Sequence, residues 1–171
     1  MTAKQIIDIL GLKPLQKEGG YFRETYRAKE KTAPAALPSI YCDSKILCTA
    51  IYYLLTPDTF SALHKLPRDE IFHFYLGDPV IMLQLRTDAT SEVITLGQEL
   101  DKGQHVQVIV PKGTWQGSFL KEGGRYALLG TTMAPGFDFS DYVEGSREEL
   151  ISQYPDKKEL IKKLTSQQVS D

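Results

Sequence analysis

The sequence has few of the residues that form metal centres, disulfide frameworks or membrane spans. Its 171 residues include three histidines and two cysteines, Cys42 and Cys48, whose spacing matches no metal-binding or redox motif. The apolar runs have the length of strands and fall far short of the roughly 20 residues that cross a bilayer. We therefore predict two reduced thiols and no membrane partner.

An excess of basic charge is also missing. The net charge is −2 and the isoelectric point is near 5.9, whereas a nucleic-acid surface requires a positive face. The first residues, Met-Thr-Ala-Lys-Gln-Ile-Ile-Asp, do not form a charged-then-apolar leader. The sequence thus predicts a protein that binds no nucleic acid and is located in the cytoplasm.

Short segments rich in β-branched and aromatic residues fill the middle of the chain, and turn residues such as Gly77-Asp78-Pro79 and Gly123-Gly124 separate them. They predict a mainly β fold, and the jelly roll is a common architecture for this many antiparallel strands. We expect one domain over residues 1–171, with its barrel at about 20–134. The predicted strands are Tyr21–Arg27, Leu47–Leu55, Thr59–Leu66, Glu70–Leu76, Val80–Arg86, Glu92–Leu96, Val106–Val110, Thr114–Leu120 and Arg125–Ala134.

Helical patterns occur only near the two ends. Thr2 is placed to cap a short helix that Gly11 ends. Ser146 and Glu149 have the spacing of a capping box, and an apolar stripe follows them. The sequence therefore predicts one short N-terminal helix and a helical C-terminal segment over about 146–165.

One motif stands out within the strand region. His64-Lys-Leu-Pro-Arg-Asp-Glu70 is followed by Gly77 and later by Pro111-Lys-Gly113-Thr-Trp-Gln116. The spacing is that of a β-barrel metal site in which three histidines and one glutamate bind the ion. Here Leu66 stands at the second histidine position and Gln116 at the third.

These residues resemble the cupin superfamily, and more specifically its fifth family, a domain of unknown function. The resemblance implies a double-stranded β-helix barrel and a homodimer, but no particular activity. We expect that dimer around the first long strand and its Tyr21-Phe22 pair. The matching blocks are Gly19–Arg27, Thr49–Leu55, Asp69–Tyr75, Val110–Gln116 and Ala134–Phe139.

His64 and Glu70 are the main candidate catalytic residues. An imidazole in a barrel mouth acts as a base near neutral pH or binds a metal, and the structural alternative is a histidine bonded to nearby backbone. Strand alternation places Glu70, Phe72, Phe74 and Leu76 on one face, opposite Ile71, His73 and Tyr75. A glutamate heading an apolar row must be paired or have a raised pKa, unless it sits in water at the rim.

Gln116 completes the candidate site. Its amide both donates and accepts hydrogen bonds, which suits ligand recognition better than metal capture. If a divalent metal is present, its ligands are His64, Glu70 and Gln116, a poorer set than two histidines and a carboxylate. We therefore predict that no cofactor is needed.

Three functions remain open from the sequence. The first is a metal-independent isomerase or epimerase acting on a small polar molecule such as a carbohydrate, with His64 as base. Tyr53 or Tyr75 is then the proton donor, and Phe72 contributes to the ligand-binding wall. The second is a non-catalytic binding or sensing protein, and the third a metal-dependent oxygenase or hydrolase. The fold alone does not choose among them.

Overall fold

Two antiparallel sheets face each other in the computed structural model of the protein, which describes residues 1–33 and 44–165. The helices of this part are α1 (Ala3–Leu10), α2 (Arg147–Gln153) and α3 (Lys158–Leu164). Single 3₁₀ turns lie at Leu100–Lys102, Phe139–Asp141 and Pro155–Lys157. The strands are β1 (Lys13–Pro14), β2 (Tyr21–Arg27), β3 (Lys31–Thr32), β4 (Lys45–Ile46), β5 (Thr49–Leu55), β6 (Phe60–Lys65), β7 (Glu70–Gly77), β8 (Val80–Leu85), β9 (Ser91–Leu96), β10 (Gln107–Val110), β11 (Trp115–Leu120), β12 (Ala127–Met133) and β13 (Val143–Glu144).

The order of the strands is that of a jelly roll. One sheet runs β1-β2-β5-β12-β7-β10 and the other β13-β6-β11-β8-β9, while β3 and β4 form a separate pair. Strands adjacent in sequence, such as β6 and β7, fall in opposite sheets, so the chain crosses between layers repeatedly. The predicted mainly β fold with short helices at both ends is confirmed.

All nine predicted long strands are present, with ends that shift by two residues at most. The strands that the sequence did not predict are β1, β3, β4 and β13, each two residues long. Segments this short carry no periodicity. β1 and β13 pair with the free backbone groups of the longer β2 and β6, whereas β3 and β4 pair with each other.

Apolar side chains from both sheets meet between the layers. This inner core contains Leu15, Tyr53, Leu55, Phe72, Phe74, Val80, Met82, Leu96, Val108, Val110, Leu120, Ala127 and Leu129. Because alternate strand residues point inward, the same rows that fill this core also carry the polar residues of the site.

The helices cover the outer faces of the two sheets. Ile6 of α1 packs beside Leu54 and Leu128 on the first sheet. Thr2 and Gln5 form a capping box at the start of α1, and Gly11 ends the helix with φ 62°. Leu150 of α2 and the apolar residues of α3 cover the second sheet.

The predicted capping box at α2 is wrong. Ser146 occupies the N-cap position, but its side chain makes no capping hydrogen bond. Glu149 is exposed, whereas Leu150 is buried against the sheet. The helix is therefore held by packing of its apolar face rather than by its cap.

A bulge in β7 corrects the predicted alternation. β12 pairs Leu129 with Phe74 and the adjacent Leu128 with Leu76, so Tyr75 is the extra residue. Phe72 and Phe74 face the inner core as predicted. Leu76 instead packs on the outer face, in the cluster that α1 covers.

The described part of the chain contains no helix that is both long and apolar enough to span a membrane. Cys48 is a free, half-buried thiol, in line with its prediction as reduced. Cys42 lies outside the described residues.

Candidate functional site

His64, Glu70 and Gln116 converge inside the barrel. In the second sheet, β11 pairs Gln116 directly with His64 of β6, while Glu70 opens β7 in the facing sheet. The Gln116 amide nitrogen lies 3.0 Å from Nε2 of His64 and donates to Oε2 of Glu70 at 2.9 Å. One amide thus joins the imidazole and the carboxylate across the two layers.

The backbone fixes which nitrogen of His64 carries the proton. Nδ1 lies 2.7 Å from the carbonyl oxygen of Ala62, and a carbonyl only accepts, so Nδ1 must donate. In the neutral ring Nε2 then has the lone pair, which accepts from Gln116. Both ring nitrogens are therefore engaged, and His64 offers no free lone pair to the cavity.

Glu70 is the group with an altered proton affinity. Its burial raises the pKa of this carboxyl from 4.5 to about 7, and the negative charge of Glu18 adds to the increase. His64 and a hydrogen bond from Thr131 act in the opposite direction. Glu70 is only 8% exposed, which excludes the alternative of a glutamate solvated at the rim.

Glu18 is a site residue that the sequence did not indicate. Its Oε1 accepts from the hydroxyl of Ser61 at 2.8 Å, and its Oε2 lies 3.9 Å from Nε2 of His64. A bulge in β6 turns both Ser61 and His64 inward, although three positions separate them. The loop before β2 therefore supplies a carboxylate neighbour for His64.

Two glycines hold that loop in place. Gly19 has φ 95°, and a β-carbon there would clash with the carbonyl oxygen of Phe60. The Glu18 carbonyl accepts from the amide of Ala62 at 2.7 Å, so the loop is tied to β6. The signal in the sequence was Gly19-Gly20 after Glu18, because paired glycines permit a left-handed backbone close to another strand.

A cavity of about 70 Å³ lies against these groups. His64, Glu70 and Glu18 form its polar end, and apolar and aromatic side chains form most of the remaining wall. Glu24 and Arg27 also line it, joined to each other by two hydrogen bonds of 2.8 and 2.6 Å. The other lining residues are Leu15, Phe22, Thr49, Ile51, Tyr53, Leu66, Thr131, Met133, Phe137 and Phe139.

The predicted tyrosines do not supply a free proton donor. Tyr53 lines the cavity, but its hydroxyl donates to the carbonyl oxygen of Gly19 at 2.9 Å. Burial raises its pKa well above the usual value. Tyr75 lies on the outer face, 43% exposed and stacked on His73, so its predicted place beside the ligand is wrong.

Two other aromatic residues change the expected picture of the site: Phe72 is not where it was predicted, and Tyr142 is an addition. Phe72 packs in the inner core, 1% exposed, rather than lining the cavity. Tyr142 was not predicted, yet its ring stacks on His64 with centroids 4.9 Å apart. The Tyr142 hydroxyl is buried with no partner among the described residues, and burial raises its pKa.

The donor set does not fit a divalent metal. The Gln116 amide nitrogen stands between His64 and Glu70, and an N–H group donates rather than ligates. Leu66 lines the cavity at the position of the second histidine of the motif. Across residues 1–33 and 44–165, no three His, Cys, Asp or Glu side chains are grouped to hold an ion.

The comparisons with known proteins agree with this architecture. The family described as Cupin superfamily (DUF985) matches residues 4–143. An uncharacterized protein of Saccharomyces cerevisiae, YML079W, is 30% identical over 136 residues, which are 74% of this chain and 67% of the yeast protein.

Solved structures show the same likeness. Protein SO0799 from Shewanella oneidensis is 30% identical with a TM-score of 0.85, and the match covers 97% of this chain and 98% of that one. A hypothetical protein from Leishmania major is 27% identical with a TM-score of 0.87, covering 98% and 100%. Oxalate decarboxylase from Bacillus subtilis, 17% identical with a TM-score of 0.52 over 88% of this chain and 36% of that one, shares the fold alone.

Proposed function

Because the chain belongs to the cupin superfamily, in the family of unknown function DUF985, we propose that it acts on a small polar molecule in the barrel cavity. The proposed activity is proton transfer of the isomerase or epimerase type, without a metal. Carbohydrates are one class of candidate substrate. We propose that the protein is located in the cytoplasm.

The observation that carries this proposal is Glu70 at the polar end of the cavity. A general acid–base group works best when its pKa lies near the working pH. Burial and the charge of Glu18 raise the pKa of Glu70 to about 7, so the carboxyl can both accept and return a proton at neutral pH. Paired carboxyl groups in unlike environments are a common basis for such chemistry.

His64 and Gln116 then position Glu70 rather than react. The Ala62 carbonyl and the Gln116 amide occupy both nitrogens of His64. The same amide fixes Oε2 of Glu70 at 2.9 Å. The role of base, expected for His64 from its sequence context, therefore moves to Glu70 in this proposal.

Hydrogen exchange into solvent tests the proposal directly. Dihydroxyacetone and glyceraldehyde in D₂O should lose C–H signals in proton NMR when the wild-type protein is present. Glu70→Gln should abolish the exchange, because an amide does not take up a proton at neutral pH. Glu122→Gln, a change at an exposed position, is the matched control and should exchange like wild type.

A non-catalytic binding protein is the second candidate, and the engagement of both His64 nitrogens favours it. In that case no carbonyl compound exchanges, while ligands still bind in the cavity. Saturable binding without exchange over a broad set of aldoses and ketoses would favour this second function over the first.

A further inference from the structure

The polar end of the cavity is rich in hydrogen-bond acceptors. Glu18 contributes two carboxylate oxygens, of which one accepts from Ser61. Glu70 is only 8% exposed, and its Oε2 accepts from Gln116. The amide oxygen of Gln116 is also buried without a partner among the described residues, but Gln116 is not one of the residues that line the cavity.

Donors at this end are few and already used. Nδ1 of His64 donates to Ala62, and the Tyr53 hydroxyl donates to Gly19. Tyr142 has a hydroxyl without a partner among the described residues, but its ring stacks on His64 and the residue does not line the cavity. A ligand that satisfies this end must therefore bring several donors of its own, because buried acceptors without partners are costly.

The charge around the cavity points in the same direction. Arg27 is the cationic residue found in the lining within the described part of the chain, and both Glu24 oxygens already engage it. Residues 34–43 and 166–171 contain no lysine, arginine or histidine. Apart from His64, no side chain in the described lining is left to balance Glu18 and Glu70, and an anionic ligand would be repelled.

The remaining wall suits an apolar body next to a positive charge. Phe22, Phe137 and Phe139 line the cavity, and the rings of Phe137 and Phe139 meet edge to face at 4.9 Å. Aromatic faces attract ammonium groups as well as apolar surface. The aromatic wall and the acceptor-rich polar end together fit a ligand with an apolar body and a positively charged group.

We propose that the ligand carries a protonated amine, with its N–H donors directed at Glu18 and Glu70 and its carbon body against the phenylalanines. This inference rests on the proposed function, since it names the class of molecule that the same cavity takes. It distinguishes amines from neutral polyols and from acids, which the proposed function does not.

Three probes test the inference: benzylamine, benzyl alcohol and benzoate. They share the same carbon skeleton and differ in their polar group. The protein has three methionines, so ¹³C labelling of their methyl groups gives three NMR signals. Met133 lines the cavity and reports its occupancy. Met1, 71% exposed, and Met82, buried in the core, report non-specific binding and global change.

Benzylamine should shift the Met133 signal with at least tenfold higher affinity than benzyl alcohol, and benzoate should leave the signal unchanged. Glu18→Gln should reduce the preference for the amine to less than threefold, while Glu122→Gln should keep it. Equal affinity for the alcohol, or binding of benzoate, would overturn the amine inference but leave the ligand cavity in place. If no probe shifts Met133 selectively, both the inference and the proposed binding function fail.

Discussion

The amide nitrogen of Gln116 lies 2.9 Å from Oε2 of Glu70, across the gap between the two sheets. The same nitrogen lies 3.0 Å from Nε2 of His64, its neighbour on the adjacent strand. A glutamine thus stands where the motif of a metal-binding barrel has a histidine, and it holds together the two groups that an ion would otherwise bridge. The consequences of this arrangement can be measured.

Glu70→Gln should change the pH dependence of stability. The folded pKa is raised from 4.5 to about 7, so the carboxyl favours the folded state below pH 4.5, and this contribution is lost as pH rises to about 7. The increase corresponds to roughly 3 kcal/mol at most. Relative to wild type, Glu70→Gln should therefore gain stability between pH 4.5 and pH 7. Denaturant unfolding of both proteins at several pH values measures this difference in the free energy of unfolding. If the two free energies change with pH in the same way, the raised pKa of Glu70 is contradicted.

Gln116→Leu should destabilise the fold by about 1–3 kcal/mol, because it leaves Nε2 of His64 and Oε2 of Glu70 without their donor. It should also reduce benzylamine binding at least tenfold. Gln84→Leu is a matched control: Gln84 pairs with Gln116 in the β8–β11 ladder and is equally buried, but its amide donates to the Ile109 carbonyl rather than to Glu70. That variant should lose stability without losing affinity. Equal loss of affinity in both variants would mean that Gln116 acts only through folding.

His64→Ala should lower stability by about 1–3 kcal/mol rather than leave it unchanged. The imidazole is 1% exposed, and its removal frees the Ala62 carbonyl and one side of the Gln116 amide. His64→Asn keeps a donor and an acceptor in a smaller side chain and should recover part of that loss. Thermal unfolding of the two variants measures the difference, and full stability in His64→Ala would show that these hydrogen bonds contribute little.

Gly19→Ala should remove the Glu18 contribution to the site. The position has φ 95°, and a β-carbon would meet the Phe60 carbonyl, so the loop must move away from β6. We expect the variant to lose about 2 kcal/mol or more of stability. It should also lose the preference for benzylamine. At Gly123, with φ 80° and open space around it, alanine should cost only about 1–2 kcal/mol of backbone strain and leave binding intact. Ligand titrations of the two variants compare these outcomes.

The homodimer stays a prediction, but its expected surface changes. Tyr21 packs in the cluster of α1 and Phe22 against the inner core, so this pair is not a free surface. β1 pairs with β2 only at these two residues, which leaves the rest of the β2 edge without a strand partner in the described residues. Tyr26, 53% exposed, lies on that edge.

We therefore expect a mass of twice 19.2 kDa by light scattering at micromolar concentration, because an open edge strand favours pairing with a second copy. Tyr26→Asp should weaken the dimer at least tenfold. Thr132→Asp, on β12 in the interior of the same sheet, serves as the control and should stay dimeric. A wild-type monomer would exclude this interface.

The sequence by itself determined the class of fold and the positions of its strands. Alternating side chains and turn residues are local signals, so Tyr21–Arg27 was predicted with both of its ends. The motif spacing likewise placed His64, Glu70 and Gln116 on strands that meet, because jelly-roll order brings those strands together.

The tertiary structure decided how these residues are used. The inward turn of both Ser61 and His64, and the outward position of Leu76, depend on bulges that follow from the register of partner strands. Glu18 enters the site from a loop with no periodic pattern. The roles of Glu70 and His64 depend on which atoms face each other across the barrel, since burial and neighbouring charge set proton affinity and neither is a local property of the sequence.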